Sequence, residues 1–199
     1  MAIITDITKQ KRNSERYNIY IDYEYAFSLS GELLIEYNLK KNSEIDEEEI
    51  TELVWKENTK KAYDMTLNYL KYRMRSQKEI EEYLIIKGFD LDTIEEVLEK
   101  LGKYDFVNDE LFAEAMTRDL LSTKLVGRRY IVHKLRQKGI DEGIIDSAVA
   151  QIDDEAEFQR ACQLAEEQFN RCREAPSIKD EQRIARLMAR RGFAWYMIN

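Results

Sequence analysis

The sequence IEEYLIIKGF at residues 80–89 holds the pattern that decides the fold of this chain. The same pattern returns as IVHKLRQKGI at 131–140 and as IARLMARRGF at 184–193. The ninth position of each copy is a glycine, and these glycines lie 51 and 53 residues apart: Gly88, Gly139 and Gly192. A repeat this regular predicts stacked helical modules, because each module is too small to bury its own apolar face alone.

Each copy of the pattern predicts a helix that ends in a left-handed turn. Apolar residues at the first and fifth positions share one face of a helix. A basic residue follows in the last turn, where a cation suits the negative end of the helix dipole. The glycine then adopts a left-handed conformation, and the apolar residue after it folds back over the helix end. Asp90 and Asp141 come next in the first two copies, and each is predicted to cap a further helix.

The predicted helices after Asp90 and Asp141 carry apolar stripes at the same offsets from the glycine. The stripe residues are Ile94, Val97, Leu98 and Leu101 in the first module and Ile145, Ala148, Val149 and Ile152 in the second.

Residues 1–57 differ from the repeats. Alternating apolar residues predict two strands at 17–21 and 25–29 with a turn at 22–24, and Ile3, Ile4 and Ile7 predict a third. Four tyrosines between Tyr17 and Tyr25 fit either a stacking surface for single-stranded nucleic acid or ordinary strand packing, and we favour the packing.

Two helices are predicted in the same segment. One begins near Gly31, and the other begins in the acidic run Ser43–Glu49, whose carboxylates suit the N-terminal end of a helix dipole.

The predicted fold is therefore mainly α. It consists of a small N-terminal β-hairpin/α extension at 1–57 and three tandem three-helix repeats at 58–107, 108–153 and 154–199. We expect these repeats to form an elongated curved array. The third repeat lacks its final helix in the sequence, because Ile198 already matches Ile94 of the first repeat, and we expect a frayed or partner-dependent C-terminus.

Loop and cap residues refine the repeat boundaries. Ser76 is predicted to cap the second helix of the first repeat, with Glu79 at the spacing of a capping box. Asp109 is predicted to cap the first helix of the second repeat, and Pro176 is placed in the first loop of the third, where a helix must end.

Composition excludes several classes of protein. The 199 residues are 35% charged and 44% hydrophobic with one proline, which is typical of a helix-rich folded chain. No apolar run approaches the roughly 18 residues of a membrane span, and no signal-peptide core is present, so we expect a cytoplasmic protein that does not bind membranes. Cys162 and Cys172 form no metal-binding or redox motif and are interpreted as incidental thiols.

No catalytic constellation is visible. The sequence has one histidine, His133, and lacks nucleophile-elbow, zinc-protease and phosphate-loop motifs. It therefore predicts a protein that is not an enzyme and needs no cofactor or metal.

The most informative chemical feature is a run without acids between Asp119 and Asp141. If Ile131 and Leu135 face the core, helix geometry points Arg129, His133 and Arg136 the opposite way, to solvent. The candidate partner-binding face consists of Lys124, Arg128, Arg129, His133, Arg136 and Lys138. A partner with negative charge and a merely solvated helix face both fit, and we favour the partner.

We interpret this outward positive charge as a property of the second repeat alone. Two secondary basic clusters consist of Lys71, Arg73, Arg75 and Lys78, and of Arg183, Arg186, Arg190 and Arg191.

Several stretches together resemble the RecX family of bacterial regulators of the RecA recombinase. These are RYNIYIDYEYAF at 16–27, NDELFAE at 108–114, GRRYIVHKLRQKGI at 127–140, and the repeated glycine turns. The resemblance covers essentially the whole chain, and it implies three tandem three-helix repeats. The family's pattern in the second repeat matches Gly127, Arg128, Arg129, Leu135, Lys138 and Gly139, and Phe112 and Ala113 match positions interpreted as packing.

The resemblance also implies a function. It implies a protein that binds the RecA–DNA filament, limits its growth and suppresses recombinase and ATPase activity in DNA repair, recombination and the SOS response, with DNA contacted directly or within the filament. We expect the protein to be a monomer. The alternative is a nucleic-acid-binding helical module that acts on DNA without a recombinase partner, since helix–turn–helix spacing also suits the first two repeats.

Overall fold

The structure is a computed structural model that describes residues 1–11, 13–172 and 177–198. The predicted position of Pro176 lies outside these residues. Two compact units make up the chain, one from residues 1–72 with 83–101 and the other from 73–82 with 102–199.

The elements begin with three strands, continue with a short helix and a short strand, and are helical in the rest of the described chain. They are β1 (Ala2–Lys9), β2 (Arg16–Ile21), β3 (Glu24–Ser30), α1 (Gly31–Glu36), β4 (Glu44–Ile45), α2 (Glu47–Leu70), α3 (Gln77–Ile86), α4 (Leu91–Lys103), α5 (Asp109–Thr123), α6 (Arg128–Gln137), α7 (Glu142–Ala150), α8 (Asp154–Phe169), α9 (Ile178–Arg190) and a 3₁₀ turn (Trp195–Met197).

The N-terminal strands form one antiparallel sheet in the order β3-β2-β1-β4. The three predicted strands and the predicted helix at Gly31 are confirmed. Asp22 and Tyr23 join β2 to β3 with φ of 48° and 69°, the left-handed pair that a two-residue hairpin favours. Tyr20 packs edge to face on Tyr25, which agrees with strand packing for these two tyrosines. The sheet covers a core formed by Ile4, Ile19, Phe27, Leu29, Leu33, Ile45 and Leu53.

The predicted helix start within Ser43–Glu49 is confirmed, and a short strand that was not predicted precedes it. Residues Glu44 and Ile45 form β4 and pair with β1, and α2 begins at Glu47. The reason is the cap: Asp46 is extended, its carboxylate accepts the Glu49 N–H at 2.8 Å, and the Glu49 side chain accepts the Asp46 N–H in return.

Helix α2 continues for 24 residues without a break, straight through the predicted boundary at 57/58. Near its middle lies Glu57, which is only 6% exposed. Its carboxylate accepts hydrogen bonds from the Arg16 guanidinium on β2 and from the Ser30 N–H. A buried charge needs such partners, so this group fastens the helix to the sheet.

The three glycine turns are confirmed. The φ angles are +85° at Gly88, +74° at Gly139 and +82° at Gly192. The residue after each glycine donates its N–H to the carbonyl of the fifth residue before it, at 3.2 Å in all three turns. The glycine itself donates its N–H to the carbonyl of the third residue before it, at 2.9–3.0 Å. The two hydrogen bonds together form a Schellman motif.

Most of the predicted caps are confirmed. Asp90 accepts the Thr93 N–H, and Asp141 accepts the Gly143 N–H, each at 2.8 Å. The prediction for Asp109 is wrong, because Asn108 caps α5 by accepting the Leu111 N–H at 2.9 Å. The cap falls on Asn108 because its backbone is extended, whereas Asp109 is already helical.

Asp109 instead completes a different helix. In the second compact unit its carboxylate accepts the N–H of Gln77, the first residue of α3, at 2.9 Å. Ser76, just ahead of that helix, forms the predicted capping box with Glu79 and also donates its hydroxyl to the Lys138 carbonyl at 2.7 Å. The start of α3 is thus fastened to α5 and to the glycine turn that follows α6.

The start of α6 repeats this arrangement one module later. Glu157 on α8 accepts the Arg128 N–H at 2.8 Å, and Gly127 donates its N–H to the Arg191 carbonyl at 2.9 Å. A Cβ added to Gly127 would lie 2.5 Å from the carbonyl oxygen of Gly192, so only glycine permits this approach.

Two apolar clusters fill the second unit. One consists of Phe112, Ala113, Leu120, Val126, Ile131, Leu135, Ile140, Ile145, Ala148, Val149 and Ile152, and the other of Ala161, Leu164, Ile184, Met188 and Phe193. The predicted packing role of Phe112 and Ala113 is therefore confirmed.

The three turn glycines provide a graded test of this arrangement. Gly88→Ala is expected to lower the free energy of unfolding by about 1–2 kcal/mol, the strain of a left-handed non-glycine residue, since nothing lies within 4 Å of its new Cβ. Gly139→Ala should cost more, because its Cβ would lie 2.7 Å from that of Lys78, and Gly192→Ala more again, because its Cβ would lie 2.1 Å from the Tyr130 nitrogen. Urea unfolding followed by circular dichroism measures the order, and equal losses at all three positions would contradict the packing described.

Candidate basic interaction surface

Helix α6 presents the predicted faces. Ile131 and Leu135 are fully buried, whereas Arg129, His133 and Arg136 are exposed. The orientation inferred from the sequence is therefore confirmed for this helix.

Arg128 does not lie free at the start of α6. Its guanidinium donates to the Ile152 carbonyl at 2.6 Å and to the Asp154 carboxylate at 2.8 Å, and it lies 3.8 Å from Glu157. These contacts join α6 to the loop between α7 and α8. The primary role of Arg128 is thus to hold the chain together.

Arg136 forms a bidentate ion pair with Glu142 at the start of α7. The two nitrogen–oxygen distances are 2.6 and 2.8 Å. The hydrogen bond from Arg136 lowers the pKa of Glu142. Both side chains are more than half exposed, so the pair adds little stability and its partners can be exchanged.

Lys138 points to a largely covered carboxylate from another repeat. Its ammonium lies 2.6 Å from Glu79, whose side chain is 11% exposed. Arg73 binds the same carboxylate at 2.7 and 3.1 Å, and Arg75 approaches it at 3.9 Å. Burial raises the pKa of Glu79, but the hydrogen bonds from Arg73 and Lys138 outweigh burial and lower the pKa to about 2.

The face predicted on α6 is thus interrupted by the protein's own carboxylates. Lys124 and Arg129 are exposed, and within the described part of the chain no carboxylate lies within 4 Å of either. His133 lies 3.1 Å from the Gln137 amide. These three residues and the exchangeable Arg136 are what remains available to a partner.

The cluster before α3 is also largely structural. Lys71 donates to the Asn68 side chain at 2.7 Å, and Lys78 lays its aliphatic stem beside Gly139. Arg73 and Arg75 contact Glu79 in addition. The cations of this cluster are therefore engaged with groups of the chain itself.

The cluster on α9 is the more open one. Arg183 lies 3.6 Å from Asp180, and Arg186 donates only to the neutral Gln182 carbonyl at 3.1 Å. Arg190 is exposed, whereas Arg191 is half-buried beside the Gly127 contact. The interpretation that only the second repeat presents outward positive charge is therefore wrong. Carboxylates of other elements pair with three cations at and around α6, whereas within residues 1–11, 13–172 and 177–198 no carboxylate of another element pairs with the cations of α9.

One functional candidate was missed by the sequence analysis. Lys179 is exposed and precedes Arg183 by four residues, so the two share a helical face. The signal was available as an i, i+4 spacing, but Lys179 lies ahead of the repeated pattern at 184–193.

Other kinds of site find no support in the described residues. Within 1–11, 13–172 and 177–198, no three or more His, Cys, Asp and Glu side chains are grouped as metal ligands would be. Cys162 and Cys172 are free thiols. Among the helices of the same residues, none combines the length and the apolar character that a bilayer span requires.

The fold and these surfaces define a class: tandem helical modules that present basic side chains, preceded by a small antiparallel sheet. Sequence models of the RecX family match in chain order. The regulatory protein RecX N-terminal domain matches residues 2–46, and the first, second and third RecX three-helix domains match 62–101, 108–149 and 155–199. The chain belongs to the RecX family.

Individual relatives agree. The chain is 35% identical over 199 residues to the regulatory protein RecX of Bacillus pumilus, covering 100% of this chain and 76% of the relative. It is 34% identical over 198 residues to that of Clostridioides difficile, covering 100% and 93%. A crystal structure of a regulatory protein RecX has a TM-score of 0.77 at 34% identity, covering 99% of this chain and 97% of that one. RecX from Lactobacillus salivarius has a TM-score of 0.65 at 30% identity, covering 71% and 92%.

The Glu79 cluster makes a pH-dependent prediction. Glu79→Gln should lower the free energy of unfolding at pH 7 by on the order of 2–3 kcal/mol, because the folded pKa of about 2 lies below the ordinary glutamate pKa of 4.5. That stabilisation is complete above about pH 4.5 and is lost as the pH falls towards 2, since the unfolded state binds the proton first. In urea unfolding, the difference between wild type and variant should therefore shrink steadily as the pH falls from about 5 towards 2.

Glu142→Gln is the matched control for Glu79→Gln. It breaks an exposed pair instead of a buried one, so its effect should be small at every pH. If Glu142→Gln lowered the free energy of unfolding at pH 7 as much as Glu79→Gln, the explanation by burial of Glu79 would be wrong.

Proposed function

We propose that this chain is a regulator of the RecA recombinase that binds the RecA–DNA filament and limits its recombinase and ATPase activity. Membership of the RecX family over the whole chain carries the proposal. Its role is regulatory and not catalytic, and its place of action is the cytoplasm, in DNA repair and recombination and the SOS response.

The contact surface in this proposal is the exposed row on α6. Arg129 and His133 lie on it one turn apart, and Arg136 follows on the same side. Filament DNA and an acidic recombinase surface both offer the negative charge that suits this row. The pair with Glu142 keeps Arg136 extended until a partner anion replaces that carboxylate.

The charge of the rest of the chain favours selectivity. The formal net charge is −8, so a polyanion gains attraction only where it meets a local basic surface. Loose binding to any DNA is thereby reduced, which suits a regulator that has to distinguish a filament from bare DNA.

Arg129→Glu tests the proposed row. Its side chain has no carboxylate within 4 Å in the described residues, so the reversal should leave helicity and thermal stability unchanged. We expect the concentration that half-inhibits the DNA-dependent ATPase of RecA to rise about tenfold, equivalent to about 1.4 kcal/mol. Arg128 is unsuitable for this test, because reversing its charge would break its contacts to Ile152 and Asp154.

Lys61→Glu on α2 is the control, since Lys61 is also exposed and its reversal changes the net charge by the same amount. It should leave inhibition unchanged. If Arg129→Glu inhibits as well as wild type, the α6 row is not the contact. If wild type itself does not inhibit, the proposed function is wrong.

A further inference from the structure

Helix α9 carries a straight row of cations, which we call the α9 row: Lys179, Arg183, Arg186 and Arg190. The spacing i, i+4, i+7, i+11 places all four within about 60° of one another and spreads them over about 17 Å of helix. All four are exposed, while Ile184 and Met188 on the opposite side are buried. The row is therefore a continuous positive edge of the second unit.

This row is scarcely neutralised from within the chain. No aspartate or glutamate occurs between residues 182 and 198. In the described part of the chain the only carboxylate within 4 Å of the row is Asp180, which lies 3.6 Å from Arg183. Like charges at i, i+4 repel one another and destabilise a helix, so the arrangement is best explained by an external anion.

Two aromatic side chains follow the row immediately. After Gly192 the chain turns back and buries Phe193, but Trp195 is 64% exposed and Tyr196 is 73% exposed. They lie on a 3₁₀ turn whose Met197, with Ile198 after it, packs against the α8–α9 core. The rings are thus held outward by a packed turn and not carried on a free tail.

We propose that the α9 row and the exposed rings of Trp195 and Tyr196 form a binding surface for single-stranded nucleic acid. Phosphates bind along the row, and unpaired bases stack on the two rings, because every base has a face that an aromatic side chain can cover. Duplex DNA hides those faces, so the surface favours single strands. An acidic protein would use the row but would not require the rings.

This surface goes beyond the proposed regulation of RecA, since it requires no recombinase. It also lies on different residues from the α6 row. Failure of one proposal therefore leaves the other standing, and each has its own assay.

The test uses the full chain and a 15-nucleotide oligo-dT without RecA. Trp55 and Trp195 are the two tryptophans of the sequence, so Trp55→Phe leaves Trp195 as the only tryptophan reporter. Oligo-dT is expected to quench its fluorescence, and the same sequence in a duplex is expected to quench it much less. Four phosphate contacts predict a slope of about −3 for log K against log salt.

Arg186→Gln with Arg190→Gln should halve that slope and weaken binding. The control pair Lys61→Gln with Arg118→Gln, exposed on α2 and α5 and outside both rows, should leave the slope and the binding unchanged. Trp195→Leu should weaken binding about tenfold, measured with fluorescein-labelled oligo-dT, since stacking contributes about 1–3 kcal/mol per base. Circular dichroism checks that each variant is folded. If Trp195→Leu is unfolded, the variant Arg186→Gln with Arg190→Gln still tests the proposal through its salt slope.

Three outcomes would overturn the proposal. The first is no quenching of Trp195, and the second is an equal loss of binding in the control pair on α2 and α5. The third is unchanged oligo-dT binding by the α9 pair together with weaker inhibition of RecA, which would assign the row to a protein partner.

Discussion

The first backbone N–H groups of a helix have no partner inside it, and in this protein the following module supplies partners for them. Asp109 and Glu157 accept the first helical N–H of α3 and α6, and the carbonyls of Lys138 and Arg191 accept from Ser76 and Gly127. We call these two sets of contacts the joints at α3 and α6. Each joint uses a carboxylate of the following module and the carbonyl of the residue before a turn glycine. A module here is stable as part of a series, because its second helix begins on its neighbour.

The same joints determine which charges remain outside. At the first joint, Glu79 is surrounded by Arg73, Arg75 and Lys138, and at the second, Arg128 is drawn to Asp154 and Glu157. Residues that look alike in sequence therefore have different roles. Cations near a joint hold modules together, whereas those on the outer sides of α6 and α9 have no such task.

Local patterns made much of the fold predictable. The glycine turns, the caps by Ser76, Asp90 and Asp141 and the three long strands were recognised because each depends on residues a few positions apart. Strand β4 and the joints were not predictable from local patterns. Ala2 pairs with Ile45, and Lys138 with Glu79, across long sequence separations that follow no period. The orientation of α6 was predictable from its period, but the availability of its cations was not, because the neutralising carboxylates come from other helices.

Helix α2 ties the sheet to the first repeat more closely than a linker would. Asp46 caps it at one end, Glu57 fastens its middle to Arg16 on the sheet, and Ala62 is buried beyond that point. A chain shortened at residue 58 would begin in mid-helix, with several bare N–H groups and no Asp46 to accept one of them. Protein engineers who wish to study the repeats without the sheet should therefore divide the molecule ahead of Asp46.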